Sequence, residues 1–141
     1  MTVELLASPA WKALSINGRR LVEFLIVEHR NQGGRENGNL HAPYDQLVPW
    51  GLSRRLIREA TMEAEFLGLL RVERGGRWAG TNVPSTYRLT FYADRDGNPP
   101  TNGWKGKTAE AIAAWHDDEI RLRRARRSKR PKIVSTNGKM R

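Results

Sequence analysis

The chain has 141 residues, of which 38% are apolar, and its 25 Lys and Arg exceed its 15 Asp and Glu, giving a formal net charge of +10. This length predicts one domain with a tail, and the apolar fraction suffices for a core. The absence of cysteine excludes a disulfide framework, a thiolate nucleophile and a cysteine-ligated metal centre. No apolar run approaches the ~20 residues of a membrane span, and an acid, Glu4, stands where a secretory signal has basic residues. We therefore expect a cytoplasmic protein with no membrane partner.

The net positive charge lies entirely at the C-terminal end. Residues 1–120 hold 15 basic and 15 acidic residues and sum to zero, whereas residues 121–141 hold ten basic residues and no acid. Such a block binds polyanions or serves as a solvated, solubilising end. A membrane surface is a poorer partner, because the segment after Arg127 contains three apolar side chains and no aromatic one.

Two helices are predicted near the N-terminus. Ser8 followed by Pro9 is typical of a capped helix start, and this helix ends at about Leu14. A second helix begins at Ser15 or Asn17 and ends at about Asn31, before two glycines. Its apolar stripe consists of Leu21, Val22, Phe24 and Leu25.

The next segment contains a short helix and a turn. Residues 40–42 are compatible with a short strand, and Pro43 opens a helix that we expect to turn Tyr44, Leu47 and Val48 inward. Pro49 is expected to interrupt that helix, because proline donates no amide and restricts the residue before it. Gly51 makes the turn that follows.

The strongest helical pattern begins at Ser53. Ser53 is expected to cap a helix from Arg54 to about Leu67 that stops at Gly68. The core side of this helix consists of Leu56, Ile57, Ala60, Ala64 and Leu67.

After Gly68 the apolar period changes to two, which predicts strands. Leu70 and Val72 mark one strand, and Tyr87, Leu89 and Phe91 mark another. Residues 75–85 between them are too many for a two-residue turn, so we expect an extended, basic and partly flexible arm.

The remaining chain is expected to hold a linker, a helix and a tail. The predicted division is a domain over residues 1–92, a linker over 93–107, a C-terminal helix over 108–127 capped by Thr108, and a disordered basic tail over 128–141. The predicted fold class is mainly α with a small β-hairpin.

Three arginines share one exposed face of the helix that begins at Ser53. Arg54, Arg55 and Arg58 lie opposite Ile57, Ala60 and Ala64. Arginine bonds guanine bidentately in the major groove and also pairs with phosphate, and Ser53 with the free amides of the first turn would add a phosphate-binding end. A solvated helix face is the alternative, since Arg55 has Glu59 four residues further on, and Glu63 and Glu65 are expected to dilute the charge further along.

The order of these elements resembles a known family. Over about residues 8–92 the chain resembles bacterial, plasmid and phage winged helix-turn-helix proteins of the replication-initiator and transcription-regulator type. The residues that carry the resemblance are Gly38-Asn39-Leu40, Tyr44, Leu47, Gly51-Leu52-Ser53-Arg54-Arg55, Ala60, Leu67-Gly68-Leu69-Leu70 and Pro84-Ser85-Thr86-Tyr87-Arg88-Leu89-Thr90. The resemblance implies a DNA-binding domain with a recognition helix from Ser53 to Leu67 and a wing around Arg74 to Trp78.

The wing and the tail supply further candidate contacts. In the wing these are Arg74, Arg77 and Trp78, with Arg77 near the backbone or minor groove, although a polar loop with one packed aromatic is the alternative. The candidate contacts of the basic arm are Arg123, Arg124, Arg126, Arg127, Lys129, Arg130 and Lys132.

No catalytic constellation stands out. The three histidines, His29, His41 and His116, lie on separate elements, and no pair has helical ligand spacing. The segment from Asp94 to Asn98 lacks the later glutamate of a calcium loop and is read as a turn. We therefore expect no enzyme activity, no catalytic residue, no metal, no cofactor and no small-molecule substrate.

The predicted function is double-stranded DNA binding by a nucleoid-associated transcriptional regulator or replication-initiation factor. A homodimer is one expectation, because winged helices that bind palindromes do so as two-fold pairs. The alternative is a protein-interaction module whose basic tail binds RNA or an acidic partner, since residues 1–120 carry no net charge of their own.

Overall fold

The computed structural model describes residues 1–129, apart from the side chain of Trp78. Over this range the fold is mixed α/β with helices predominating, as predicted. The helices are α1 Val3–Leu6, α2 Pro9–Ala13, α3 Ile16–Asn31, α4 Tyr44–Trp50, α5 Ile57–Phe66 and α6 Ala109–Lys129, and the strands are β1 Leu70–Glu73, β2 Gly76–Trp78, β3 Thr81–Val83 and β4 Thr86–Leu89. None of the helices within residues 1–129 is long and apolar enough to cross a bilayer.

The chain divides into two compact units. The first is Met1–Ala109, and the second begins at Glu110. The described part of the second unit is residues 110–129 of α6, and this helix ends two residues beyond its expected end. The tail predicted to be disordered otherwise lies outside the described residues.

Helix α3 is central to the first unit. Its predicted stripe of Leu21, Val22, Phe24 and Leu25 is buried, which confirms the prediction. Of the two predicted starts, Ser15 is the cap, because its side chain accepts a hydrogen bond from the Gly18 amide over 3.0 Å. Helices α4 and α5 both pack against α3.

A buried carboxylate joins α5 to the beginning of α3. Glu63 of α5 is only 7% exposed, and its Oε1 accepts hydrogen bonds from the amide and the hydroxyl of Ser15, each over 2.9 Å. The positive end of a helix dipole favours an anion at this position. The approach is so close that a Cβ on Gly18 would overlap the carboxylate.

Helix α4 differs from the prediction in two respects. It continues through Pro49 to Trp50, so the expected interruption is wrong. Proline this near the end of a short helix removes a single donor, and the helix ends at Gly51, whose φ of 117° brings the Leu52 amide within 3.1 Å of the Leu47 carbonyl. The expectation for its inner face is also partly wrong: Leu47 is buried, whereas Tyr44 and Val48 are exposed because they lie to one side of the stripe that meets α3.

The helix expected from Arg54 begins differently. Residues Arg54–Leu56 form a 3₁₀ turn, and the Ser53 side chain makes no capping hydrogen bond, which corrects the predicted cap. The Ser53 carbonyl instead accepts from the Leu56 amide over 2.9 Å, closing the first turn in 3₁₀ geometry. The predicted stop at Gly68 is confirmed, because α5 ends at Phe66 and Gly68 has a φ of 76°.

Strands β1 and β4 pair antiparallel, with Leu70 opposite Leu89 and Val72 opposite Tyr87. The strand expected over residues 40–42 is a single bridge between Leu40 and Tyr87. Phe91 lies beyond β4, so its predicted place in a strand is wrong.

The side chain of Asn37 explains why β4 ends where it does. Asn37 is fully buried. Its Nδ2 donates to the carbonyls of Leu89, Tyr92 and Ala93 over 2.8 to 3.2 Å, and its Oδ1 accepts from the Leu89 amide over 2.7 Å. These bonds occupy the backbone groups that a continuing strand would have offered to a neighbour.

The expected flexible arm between the strands is itself a hairpin. β2 and β3 pair antiparallel, with Arg77 opposite Asn82. The two-residue turn that joins them consists of Ala79 and Gly80, with φ of 52° and 80°, values that suit a tight turn between twisted strands. The expected extended arm between β1 and β4 is therefore present, and the residues on either side of its own turn pair with each other.

Replacing Glu63 by alanine is expected to lower the free energy of unfolding by about 2 kcal/mol, because the Ser15 amide and hydroxyl lose a charged acceptor in a buried place. Urea unfolding followed by circular dichroism measures the change. Glu65→Ala is the matched control, and its loss should stay within about 1 kcal/mol because its partner Arg74 is exposed. Equal losses in the two variants would contradict the role given to Glu63.

A second prediction concerns acid stability. His29 is buried against Tyr92, with stacked rings 4.8 Å apart, and burial, assisted by the charge of Arg30, lowers its pKa below 6.5. As the pH falls, His29 of the unfolded chain therefore takes up a proton before His29 of the folded chain does. The contribution of His29 to the free energy of unfolding is complete above pH 6.5 and declines below it. The urea midpoint, measured between about pH 8 and 5, should decline less in His29→Gln than in wild type. A decline in His29→Gln as steep as in wild type would refute the assignment.

Candidate nucleic-acid interface

The three arginines predicted to mark the interface are exposed. Arg54 and Arg55 lie in the 3₁₀ turn and Arg58 in the first turn of α5, while Ile57 and Ala60 beside them are buried. Ser53 is also exposed. Within residues 1–129, neither Arg55 nor Arg58 forms a salt bridge. We call Arg54, Arg55 and Arg58 the arginine face.

Arg54 is oriented by the helix that precedes it. Its Nη2 lies 2.7 Å from Oδ1 of Asp45, and its guanidinium lies 5.8 Å from the centre of the Tyr44 ring. Both contacts come from the first turn of α4. Since Asp45 is 91% exposed, the pair is solvated and weak, and Arg54 can exchange this carboxylate for another anion at little cost.

The turn between α4 and the arginine face is fastened to α3 by two polar side chains that sequence analysis did not identify. Arg20 Nη1 donates to the Gly51 carbonyl over 2.6 Å. The Ser53 amide donates to Asn17 Oδ1 over 3.3 Å. These contacts span 31 and 36 residues, so no local pattern in the sequence could have revealed them.

The two glutamates expected to dilute the positive charge of α5 do not do so. Glu63 points into the fold and binds Ser15, and Glu65 pairs with Arg74 at the base of the hairpin. That expectation is therefore wrong, because Glu63 is turned away from solvent and the charge of Glu65 is matched.

The wing residues have different surroundings. Arg74 joins the hairpin to α5 through Glu65, so part of its charge is used within the fold. Arg77 is exposed on β2. The side chain of Trp78 lies outside the described residues.

A pair of arginines on the sheet also went unnoticed, because it depends on strand register. Arg71 of β1 lies directly opposite Arg88 of β4. Arg88 lies 3.5 Å from Asp94 and donates to the Pro99 carbonyl over 3.2 Å. Both arginines line a polar cleft of about 610 Å³. Its walls carry three arginines and three carboxylates, so the cleft adds no net charge to the arginine face: Arg71, Arg88, Arg95, Glu73, Asp94 and Asp96.

Two further pKa values reflect contacts that support the sheet. Burial raises the pKa of the Tyr87 phenol, with a smaller contribution from Tyr44. The hydrogen bond from the Asn98 side chain lowers the pKa of Asp94. Asp94 therefore stays ionised beside Arg88 and orders the turn that was predicted for residues 94–98.

The basic arm is helical as far as it is described. Arg123, Arg124, Arg126, Arg127 and Lys129 are exposed on α6. Arg130 and Lys132 lie outside the described residues.

Residues 1–129 contain no group of three or more histidines and carboxylates that could hold a metal ion. Comparisons with protein-family models, with curated proteins and with solved structures find no match to this chain. A functional conclusion therefore depends on the residues themselves.

Proposed function

We propose that residues 8–92 form a winged helix-turn-helix domain that binds double-stranded DNA. The element order supports this: α3, the Leu40 bridge, α4, a glycine turn, α5, and then a hairpin whose base pairs beside that bridge. In this interpretation α5 with its 3₁₀ turn is the recognition helix, and the β2–β3 tip is the wing.

The observation that carries the proposal is the arginine face itself. It stands at the N-terminal end of a helix, where residues reach base edges when a recognition helix enters the major groove. Arg55 and Arg58 are available for guanine or phosphate. Asn17 and Arg20 hold the preceding turn, so the helix would meet DNA at a fixed angle.

The surrounding residues would position the domain on the backbone. Tyr44 and Asp45 at the start of α4 orient Arg54, and Arg77 on the wing would reach an adjacent phosphate or the minor groove. The basic arm would add sequence-independent phosphate contacts. Binding of this kind acts by recruitment or occlusion in transcription or replication, without chemistry.

Replacing Arg54, Arg55 and Arg58 together by alanine is expected to abolish site preference without unfolding the domain, because their side chains are exposed. The measurement is site selection from a randomised duplex pool, followed by anisotropy titration of the selected site and a scrambled one. Losing a bidentate base contact costs about 1–3 kcal/mol, so the two affinities should converge.

The control removes three positive charges elsewhere. Lys12, Arg30 and Arg35 are exposed on α2, α3 and the loop that follows α3. Their triple alanine variant should keep the preference for the selected site with only weaker overall binding. If both triple variants retained the preference, the recognition helix would be wrongly assigned.

The arm makes a separate prediction in salt. Replacing Arg123, Arg124, Arg126 and Arg127 by glutamine in the full chain is expected to flatten the log–log salt dependence of binding by three to four, at ~0.9 per phosphate. Preference for the selected site should persist. An unchanged slope would show that these arginines do not touch DNA.

A protein partner is the second candidate function. It is favoured by the neutral sum of residues 1–120 and by the exposed apolar side chains of α4, Tyr44, Val48 and Trp50. A chain that binds no duplex in the experiments above, at any salt concentration, would favour this candidate.

A further inference from the structure

The basic half of α6 has charges on every side. Six of the residues from Arg121 to Lys129 are basic and all six are exposed: Arg121, Arg123, Arg124, Arg126, Arg127 and Lys129. At about 100° per residue, these side chains surround the helix with no gap wider than about 80°. This part of α6 therefore has no uncharged face.

The distribution of charge around this part of α6 excludes packing against a protein surface or a membrane. Packing against a protein or a membrane needs an apolar stripe along one side. The two large apolar residues here, Ile120 and Leu122, are each 48% exposed and lie about 160° apart around the helix. They cannot form one stripe.

A ring of positive charge fits a partner that surrounds the helix with negative charge. The major groove of B-DNA is about 12 Å wide and has phosphates along both walls, and a helix with its side chains is about 10–12 Å across. The major groove of A-form RNA is too narrow for such a helix. We propose that residues 121–129 of α6 bind as a helix inside the major groove of duplex DNA, a second groove contact beyond α5 that rests on the proposed DNA-binding function.

The energetics of the helix lead to the same partner. Five like-charge pairs stand three or four residues apart, where they repel each other along the helix: 121 with 124, 123 with 126, 123 with 127, 124 with 127, and 126 with 129. The pair of Arg121 Nη2 and Asp118 Oδ1, 2.6 Å apart, offsets part of this repulsion. Phosphates on both sides would relieve this repulsion, so duplex DNA should stabilise the helix as well as bind it.

A suitable variant distinguishes binding that requires a helix from binding that requires only the positive charges. Ala125→Pro in the full chain keeps every charge but removes a helical hydrogen bond in the middle of the basic half. Ala125→Gln is the matched control, because glutamine is a good helix former. We expect proline to weaken duplex binding at least ~tenfold, a loss of about 1.4 kcal/mol, and glutamine to leave binding unchanged.

Amide hydrogen exchange provides the second measurement. In wild type, a duplex should slow exchange over residues 121–129, and Ala125→Pro should remove most of that protection. Equal affinity of the proline and glutamine variants would overturn the groove-bound helix, and so would tighter binding of wild type to an RNA duplex than to DNA of the same sequence.

The Ala125→Pro variant tests the binding of α6, and the triple arginine variant tests the recognition helix separately. If Ala125→Pro binds as wild type while the Arg54, Arg55 and Arg58 triple variant loses its site preference, only the binding of α6 in the groove is contradicted. If the triple variant also keeps its site preference, the assignment of α5 as the recognition helix is contradicted as well.

Discussion

The hydrogen bonds between Glu63 and Ser15 are the contact on which the position of α5 depends. A carboxylate taken out of water is costly unless several donors satisfy it, and here Ser15, the cap of α3, supplies an amide and a hydroxyl. Because Glu63 stands near the C-terminal end of α5, this contact fixes one end of the helix. Asn17 and Arg20, within the next five residues of α3, hold the turn at its other end. A single stretch of α3 therefore sets both ends of the helix that carries the arginine face.

Much of this arrangement could be predicted from the sequence wherever the determinants are local. The apolar stripe of α3 and the stop at Gly68 follow from periodicity and from glycine chemistry, and both are observed. The errors arose where distant residues decide the local conformation. Ser53 is a residue type that commonly caps helices, yet its amide is bound by Asn17, 36 residues away. Phe91 lies outside β4, where Asn37 binds backbone carbonyls from 52 to 56 residues away.

At the candidate site, too, the features that local residues determine could be predicted and those that distant residues determine could not. Periodicity was enough to place the arginine face in solvent, since helical spacing relates Arg54, Arg55 and Arg58 to the apolar residues opposite. It could not distinguish acids that remain in solvent from acids used inside the fold, because the partners of Glu63 and Glu65 lie in other elements. Counting charges along the sequence therefore does not show that Glu63 and Glu65 have partners within the fold.

The contacts that hold α5 in place and the side chains that would meet a target belong to different residues. Glu63 and the buried Ile57, Ala60 and Ala64 face the fold, whereas Arg55 and Arg58 contribute nothing to its core. Exposed helix positions of this kind tolerate exchange with little change in stability. The domain could therefore acquire a new target preference through a few surface substitutions, with no need for compensating changes in its interior.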